Sequence, residues 1–348
     1  MKRKIRFIAI VLLTFSCRDK ITIENIVDNH RHTHTDLGTP GFPEMPIPVD
    51  NETTEEGIAL GRKLFYDPIL SGNETQSCAT CHQQSRAFSD NKRFSVGIDG
   101  IAGKLNASAI INPGWQSSAF WNGRANSLEE QAVEPVENPI ELHLNWEDAV
   151  DRLKRHDDYP GEFQIAFGTT HITKDLVTKA LAQFERSLIS NQSKFDKFLN
   201  GEIELTPLEL AGYNLFLSEK AECFHCHVRP LFTDDELHNN GLDINPDKGH
   251  FEVSSYVYDK GKFRTPTLRN IEFTAPYMHD GRFETLEDVI DFYSDSIKTS
   301  ITVDPLMPND NGGFHWTELE KLQLISFLKT LSDTSFINNP DFSNPFVE

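Results

Sequence analysis

Cys78-Ala-Thr-Cys81-His82 and Cys223-Phe-His-Cys226-His227 are two copies of one pentad, Cys-x-x-Cys-His, and their reading decides the fold. Two thiols three positions apart sit on one turn, where they form thioethers to the two vinyl groups of a haem. The adjacent histidine then becomes an iron ligand. A zinc ribbon also pairs Cys-x-x-Cys motifs, but its pairs stand roughly 15–20 residues apart and need no histidine directly after the second cysteine. Thioredoxin-like dithiol chemistry uses one such pair in a βαβ setting, which this sequence lacks. The pentads therefore predict two covalently bound c-type haems, attached at Cys78, Cys81, Cys223 and Cys226, with His82 and His227 on the irons.

The chain has five cysteines in 348 residues, so only Cys17 lies outside the pentads. It closes an export signal. Lys2, Arg3, Lys4 and Arg6 form a basic start, and the apolar run from Phe7 to Phe15 is too short to span a bilayer. Ser16 directly before Cys17 predicts a lipoprotein-type signal peptide over 1–17, with the mature chain tethered to a membrane by lipid on Cys17. Thr14 stands where such signals usually carry leucine, and Leu13 lies one position earlier. Ordinary cleavage nearby or an uncleaved anchor are the alternatives. Each places the working protein outside the cytoplasm, in the periplasm, where c-type haem is attached.

A formal net charge of −20 excludes a nucleic-acid partner, which needs a basic face. An acidic surface suits steering of a basic electron-donor protein, and equally suits plain solubility. The 38% hydrophobic content is enough for ordinary cores, and the length predicts about two domains.

Residues 18–48 read as a flexible tether, because Pro40, Gly41, Pro43, Pro46 and Pro48 punctuate a stretch without apolar periodicity. His30, His32 and His34 within it read as solvated residues. A faint repeat follows: Gly61-Arg-Lys-Leu64-Phe65 precedes the first pentad and Gly212-Tyr-Asn-Leu215-Phe216 the second. The remaining periodicity is helical. Thr173 to Leu188 places Leu176, Ala180, Leu181, Phe184 and Leu188 on one face. Thr317 to Leu331 opens with a Thr-x-x-Glu box and continues with Leu319, Leu322, Ile325 and Leu328. The expected fold is mainly α: two cytochrome c-type haem domains with long connecting loops, over 49–200 and 201–335, and a tail over 336–348.

A catalytic role needs one iron with an open position and groups to act on what binds there. Phe120-Trp121-Asn-Gly-Arg-Ala, Gln131, Asn138-Pro-Ile-Glu141, Phe263-Arg-Thr-Pro-Thr-Leu-Arg-Asn270 and Ala275-Pro-Tyr-Met-His-Asp-Gly281 occur in that order. Through these stretches the chain, from about Leu60 to Leu331, resembles the bacterial di-haem cytochrome c peroxidase family, which includes the methylamine-utilisation enzyme that matures a protein-derived quinone. The resemblance implies an oxidoreductase acting on hydrogen peroxide at the N-terminal, peroxidatic haem, while the C-terminal haem handles electrons. It makes Glu141 the distal acid–base carboxylate, Gln131 the amide that orients peroxide or water, and Trp121 the electron relay between the haems. It also implies a calcium ion held by Asn106 with the backbone carbonyls of Thr274 and Pro276, a site composition alone does not reveal. A homodimer is a further family trait, although these residues carry no interface signal.

The chain departs from the peroxidase pattern twice. Typical members cap the N-terminal haem with a histidine from the loop after the first pentad, and here that position is Ile98. Isoleucine cannot ligate iron, so the expectation is an open N-terminal haem that meets peroxide without prior reduction. The far ligand of the C-terminal haem is typically methionine, and Met278, His279, Met307 and Tyr293 are the candidates. Counting from Pro276-Tyr-Met-His279 places it at Tyr293, as in the quinone-maturing enzyme, and Leu286, Val289, Ile290 and Tyr293 share one helical face. A tyrosinate stabilises ferric and higher states, the opposite of a thioether. The electron source is then an electron-donor cytochrome or cupredoxin, or an oxidisable protein substrate. A non-enzymatic electron carrier or redox sensor is the alternative reading.

Overall fold

The computed structural model describes residues 35, 37–308 and 310–347. Cys17, the signal and His30, His32 and His34 lie outside them. Seven helices precede residue 190: α1 (Glu55–Tyr66), α2 (Cys78–Cys81), α3 (Leu128–Gln131), α4 (Val133–Glu137), α5 (Trp146–Arg155), α6 (Tyr159–Phe167) and α7 (Lys174–Ser187). Seven follow: α8 (Lys194–Leu199), α9 (Pro207–Phe216), α10 (Cys223–Cys226), α11 (Phe251–Ser254), α12 (Leu286–Asp295), α13 (Glu318–Lys329) and α14 (Thr334–Ile337). The described strands are β1 (Leu237–His238) and β2 (Phe263–Arg264), an antiparallel pair with Leu237 opposite Arg264. No described helix is long and apolar enough to cross a membrane.

The faint repeat has a physical cause. In each lobe the helix before the pentad crosses a later helix at a glycine: α1 packs on α7 and α9 on α13. A Cβ at Gly61 would overlap the carbonyl oxygen of Ala180, and one at Gly212 would overlap that of Gln323. Only glycine lets the backbones approach this closely. Four residues on, Phe65 meets Phe184 at 5.2 Å and Phe216 meets Phe327 at 5.0 Å. Each crossing presents a scaffold turn, α2 or α10, that carries a pentad.

Helix starts are well specified. Thr54 caps α1 through Gly57 N, with Glu55 and Glu56 in the first turn. Thr317 and Glu320 close the reciprocal box that begins α13. The apolar stripe of α13 differs from the expected one, because Leu319 and Leu322 are exposed while Leu324, Ile325, Phe327 and Leu328 are buried. The crossing at Gln323 rotates the contact face toward Leu324 and Leu328. On α7 Val177 is fully buried beside the expected face, and Leu176 packs partly buried against the same core.

Packing redraws three expected boundaries. The stretch expected as a tail belongs to the N-terminal core: Phe336 stacks edge-on against Phe88 at 5.6 Å, and Arg62 donates to the Ser343 carbonyl oxygen at 2.6 Å. The region before residue 200 already contributes to the C-terminal core, where Phe195 meets Phe232 and Phe327. The tether ends before its expected limit, since Phe42 packs on Trp115 and Trp115 Nε1 donates to the Pro43 carbonyl oxygen. Where the chain passes between cores, Ser190 donates to Asn112 and Asp333 and accepts from Asn270. All four of these side chains are buried, so this satisfied polar knot fixes the crossing.

Candidate active site

Both pentads present the same arrangement. His82 Nδ1 lies 3.0 Å from the Phe88 carbonyl oxygen, and His227 Nδ1 lies 3.1 Å from that of Phe232. Each Nδ1 is thereby the N–H, which leaves Nε2 as the lone-pair nitrogen for a metal. Burial lowers the pKa of both imidazoles and keeps them neutral, as a ligand must be. The four cysteines are free of disulfides. Burial pushes the thiols of Cys78, Cys223 and Cys226 up to about 12, with the charge of Glu185 also raising Cys78. Thiols held neutral in this way do not suit a thiolate metal site, whereas a thioether carries no charge.

The C-terminal pentad opens on a cavity of about 240 Å³. Cys223, Cys226, His227 and Tyr293 all line it, together with Met278 and Met307. Arg264 stands in its wall: Nη1 donates to Asp235 Oδ1 at 3.1 Å, but the buried Nε has no partner among the described residues. An acidic group of a bound cofactor, such as a haem propionate, is what that donor lacks. Free Nε2, neutral thiols and the orphaned guanidinium nitrogen together fit haem.

Tyr293 is reached by α12, whose Leu286, Val289 and Ile290 line the same cavity. Its hydroxyl oxygen accepts from Asn240 Nδ2 at 3.0 Å, and burial raises its pKa to about 12. His279 is packed in the cavity wall, with its ring 3.7 Å from that of Phe263 and Nε2 3.3 Å from Asp247. Trp121 lines the cavity too, and its Nε1 donates to the Asn106 carbonyl oxygen at 2.8 Å. Asn106, Thr274 and Pro276 share that wall. Asn106 Nδ2 donates to the Lys92 and Arg93 carbonyls, and its Oδ1 accepts no hydrogen bond among the described residues. No described residue donates a hydrogen bond to the carbonyls of Thr274 or Pro276.

His238 at the end of β1 is held between two carboxylates, Asp234 at 2.9 Å and Asp304 at 2.6 Å. Their hydrogen bonds, first Asp234 and then Asp304, raise its pKa from 6.5 to about 9 against the cost of burial. A raised folded-state pKa stabilises fully below the unfolded value and is lost as pH rises through the folded one. Denaturant unfolding of the haem-loaded protein is expected to show a stability loss on the order of 2–3 kcal/mol between about pH 6 and pH 10. His238→Gln should flatten that dependence; an unchanged profile would locate the effect elsewhere.

On the N-terminal side, two loops are zipped together over the first pentad. Ile98 N donates to the Glu141 carbonyl oxygen at 3.0 Å, and a Cβ at Gly97 would overlap the carbonyls of Ile140 and Glu141. Asn138 shapes the turn: its Oδ1 accepts from Ile140 N, and its Nδ2 donates to Glu141 Oε1 at 2.7 Å. The Glu141 charge reaches both Cys78 and Cys81. Burial raises the Glu141 pKa, prevailing over the Asn138 hydrogen bond and the charge of Arg124. Gln131 ends α3 half-buried, and no hydrogen bond among the described residues joins it to Glu141 or the pentad.

Residues 55–204 match the family described as Di-haem cytochrome c peroxidase. The chain is 36% identical over 291 residues to methylamine utilization protein MauG of Methylorubrum extorquens, covering 82% of this chain and 81% of that protein. It is 35% identical over 311 residues to cytochrome c551 peroxidase of Nitrosomonas europaea, covering 88% and 87%. The chain belongs to the di-haem cytochrome c peroxidase family. This di-haem peroxidase is accordingly a haem oxidoreductase acting on hydrogen peroxide. A solved MauG-like protein associated with microbial copper homeostasis has the same fold, with TM-score 0.82 and 37% identity over 90% of this chain and 99% of that one. The diheme peroxidase BthA from Burkholderia thailandensis shares the fold at TM-score 0.73 and 22% identity.

Several residues of the peroxidase site carry no signal as isolated letters. Asn138 and Arg124 lie inside quoted motifs, and Asx-turn chemistry is the clue to Asn138. Asn240 and Arg264 emerge only once β1 and β2 pair.

Proposed function

We propose that this exported peroxidase reduces hydrogen peroxide to water at the N-terminal haem, with electrons arriving through the C-terminal haem and Trp121. The observation that carries the reading is Glu141, a carboxylate locked by Asn138 and Ile98 with its charge on both cysteines of the first pentad. Haem supplies the iron that binds peroxide and exchanges electrons one at a time. The raised pKa of Glu141 lets it take a proton from one peroxide oxygen and return it to the departing one. Ile98 beside it offers no ligand atom, so the iron that His82 would hold would be left open to peroxide. Gln131 orients peroxide or water in the same pocket.

On the other side His227 and Tyr293 would hold the C-terminal haem, and Asn240 donates to the tyrosine oxygen. Tyr293→Phe is expected to abolish the low-spin signal of that haem with both haems still attached; an intact signal would assign the ligand to Met278 or Met307. The unclaimed oxygens of Asn106, Thr274 and Pro276 suit calcium, a hard cation. The reductant is a small redox protein or the oxidisable side chains of a protein substrate. The signal-like first 17 residues support a periplasmic protein held by lipid on Cys17, and the family resemblance supports a homodimer.

One equivalent of hydrogen peroxide added to the diferric protein tests the reading. Visible and near-infrared spectra should change at once, without prior reduction. An unchanged spectrum overturns direct activation.

A further inference from the structure

The two helix crossings follow one register, and it pairs a carboxyl in one lobe with a leucine in the other. Gly61 meets Ala180 and the Cβ of Phe184, while Gly212 meets Gln323 and the Cβ of Phe327. This register makes Leu181 the counterpart of Leu324 and Glu185 the counterpart of Leu328. Leu324 and Leu328 both line the C-terminal haem cavity beside Cys223. Leu181 keeps the apolar character, but Glu185 places a carboxyl where the other lobe turns leucine to its haem.

Glu185 is 6% exposed, and its side chain makes no hydrogen bond among the described residues. An unpaired carboxyl buried to this degree costs free energy unless it is neutral or has a task. Its charge is the strongest one acting on the Cys78 thiol of the first pentad. The charged groups acting on it are Arg186 from its own helix and Glu129 from α3. Arg186 is already engaged by Glu129 at 2.7 Å. From α1, packed on α7, the buried face is Gly57, Leu60, Gly61, Leu64 and Phe65, which offers no charge. From α2 the neighbour is Cys78, which carries no titrating proton once it is a thioether.

We propose that Glu185 is an internal proton store of the N-terminal haem pocket, binding one proton when this haem takes up an electron. Reduction of peroxide breaks the O–O bond and consumes two electrons and two protons per two waters formed. The electrons come from the redox protein or oxidisable side chains that serve the C-terminal haem. Glu185 holds one of the two protons inside the lobe, on a carboxyl that is 6% exposed. The C-terminal lobe performs no such chemistry, and Leu328 stands in the same place. Burial, opposed by Arg186 and reinforced by Glu129, raises the pKa of Glu185 to about 8, so the carboxyl is poised to exchange a proton near neutral pH. This inference rests on reading the N-terminal haem as the peroxide site.

The test reads the potential of the N-terminal haem, not turnover. Adding an electron to the iron raises the pKa of a nearby carboxyl, so reduction takes up a proton in the window between the oxidised-state and reduced-state values. In the parent holoprotein, spectroelectrochemistry from about pH 6 to about pH 10 should show the midpoint of this haem falling as pH rises through that window. The dependence should be lost in both Glu185→Gln and Glu185→Leu. Glutamine preserves shape, and leucine is what the equivalent position of the other lobe already accommodates. A slope retained in both variants overturns the proposal and leaves a propionate as its source. A slope lost in Glu141→Gln but kept in Glu185→Gln overturns it in favour of Glu141. Peroxide addition to the diferric protein fails or succeeds separately, so the two readings are judged apart.

Discussion

Glu141→Gln is expected to slow the reaction of the diferric protein with peroxide by about 10²- to 10⁴-fold, the usual contribution of one positioned acid–base group. The amide keeps the size of the carboxyl and still meets Asn138, but it cannot take the peroxide proton. Both haems should remain attached, because the pentads and the hydrogen bonds from His82 and His227 to the Phe88 and Phe232 carbonyls are untouched. Stopped-flow spectra at the wavelengths of the N-terminal haem are the measurement. A rate within about threefold of the parent would remove Glu141 from the acid–base role. The raised pKa adds a pH signature, since carboxylate is the form that accepts the proton. The parent rate should therefore fall as pH drops below the Glu141 pKa, and the variant should lack that limb.

The second large effect concerns stability. Arg269 is 1% exposed and donates through Nη1 and Nη2 to the two Asp196 oxygens, each at 2.9 Å, while Nε donates to the Pro230 carbonyl oxygen at 2.9 Å. Burial works to raise the Asp196 pKa, but the hydrogen bonds and charge of Arg269 prevail and hold it below the usual carboxylate value. Arg269→Met strands a buried carboxylate and should cost about 3–5 kcal/mol, the usual penalty for breaking such a pair from one side. It also frees the loop of Arg229 to Phe232, whose last carbonyl orients His227. Equilibrium denaturation should show the loss, with reduced occupancy of the C-terminal haem by pyridine haemochrome. A loss under about 1 kcal/mol would mean that Asp196 finds solvent or another donor. The double variant Arg269→Met with Asp196→Leu should recover most of the stability, because no charge is then left unpaired.

Much of this molecule was legible before any coordinates. The pentads carry their own chemistry, and the repeat around Gly61 and Gly212 announces two related lobes, because a backbone crossing admits only glycine. The α12 face running from Leu286 to Tyr293 reads correctly, since helical periodicity and cavity lining coincide there. The α13 stripe does not, because Leu319 and Leu322 satisfy the same periodicity while the crossing at Gln323 chooses a neighbouring face. The expected tail is misleading for a different reason: Phe336 and Phe342 are too few and too separated by polar residues to signal a core element. Asn240 and Arg264 act beside or within a two-residue strand pair, too short for any sequence pattern. Glu185 sits in a run that reads as ordinary amphipathic helix, and only its counterpart in the other lobe makes it stand out.

The return of Phe336 and Phe342 to the first lobe bears on the order of assembly. The N-terminal core has no complete wall until Phe342 is made, whereas the C-terminal core closes with Leu331. During synthesis the second lobe is therefore the first able to shut. The first lobe then receives its last aromatic wall, Phe336 and Phe342 against Phe88, only after the second core is complete.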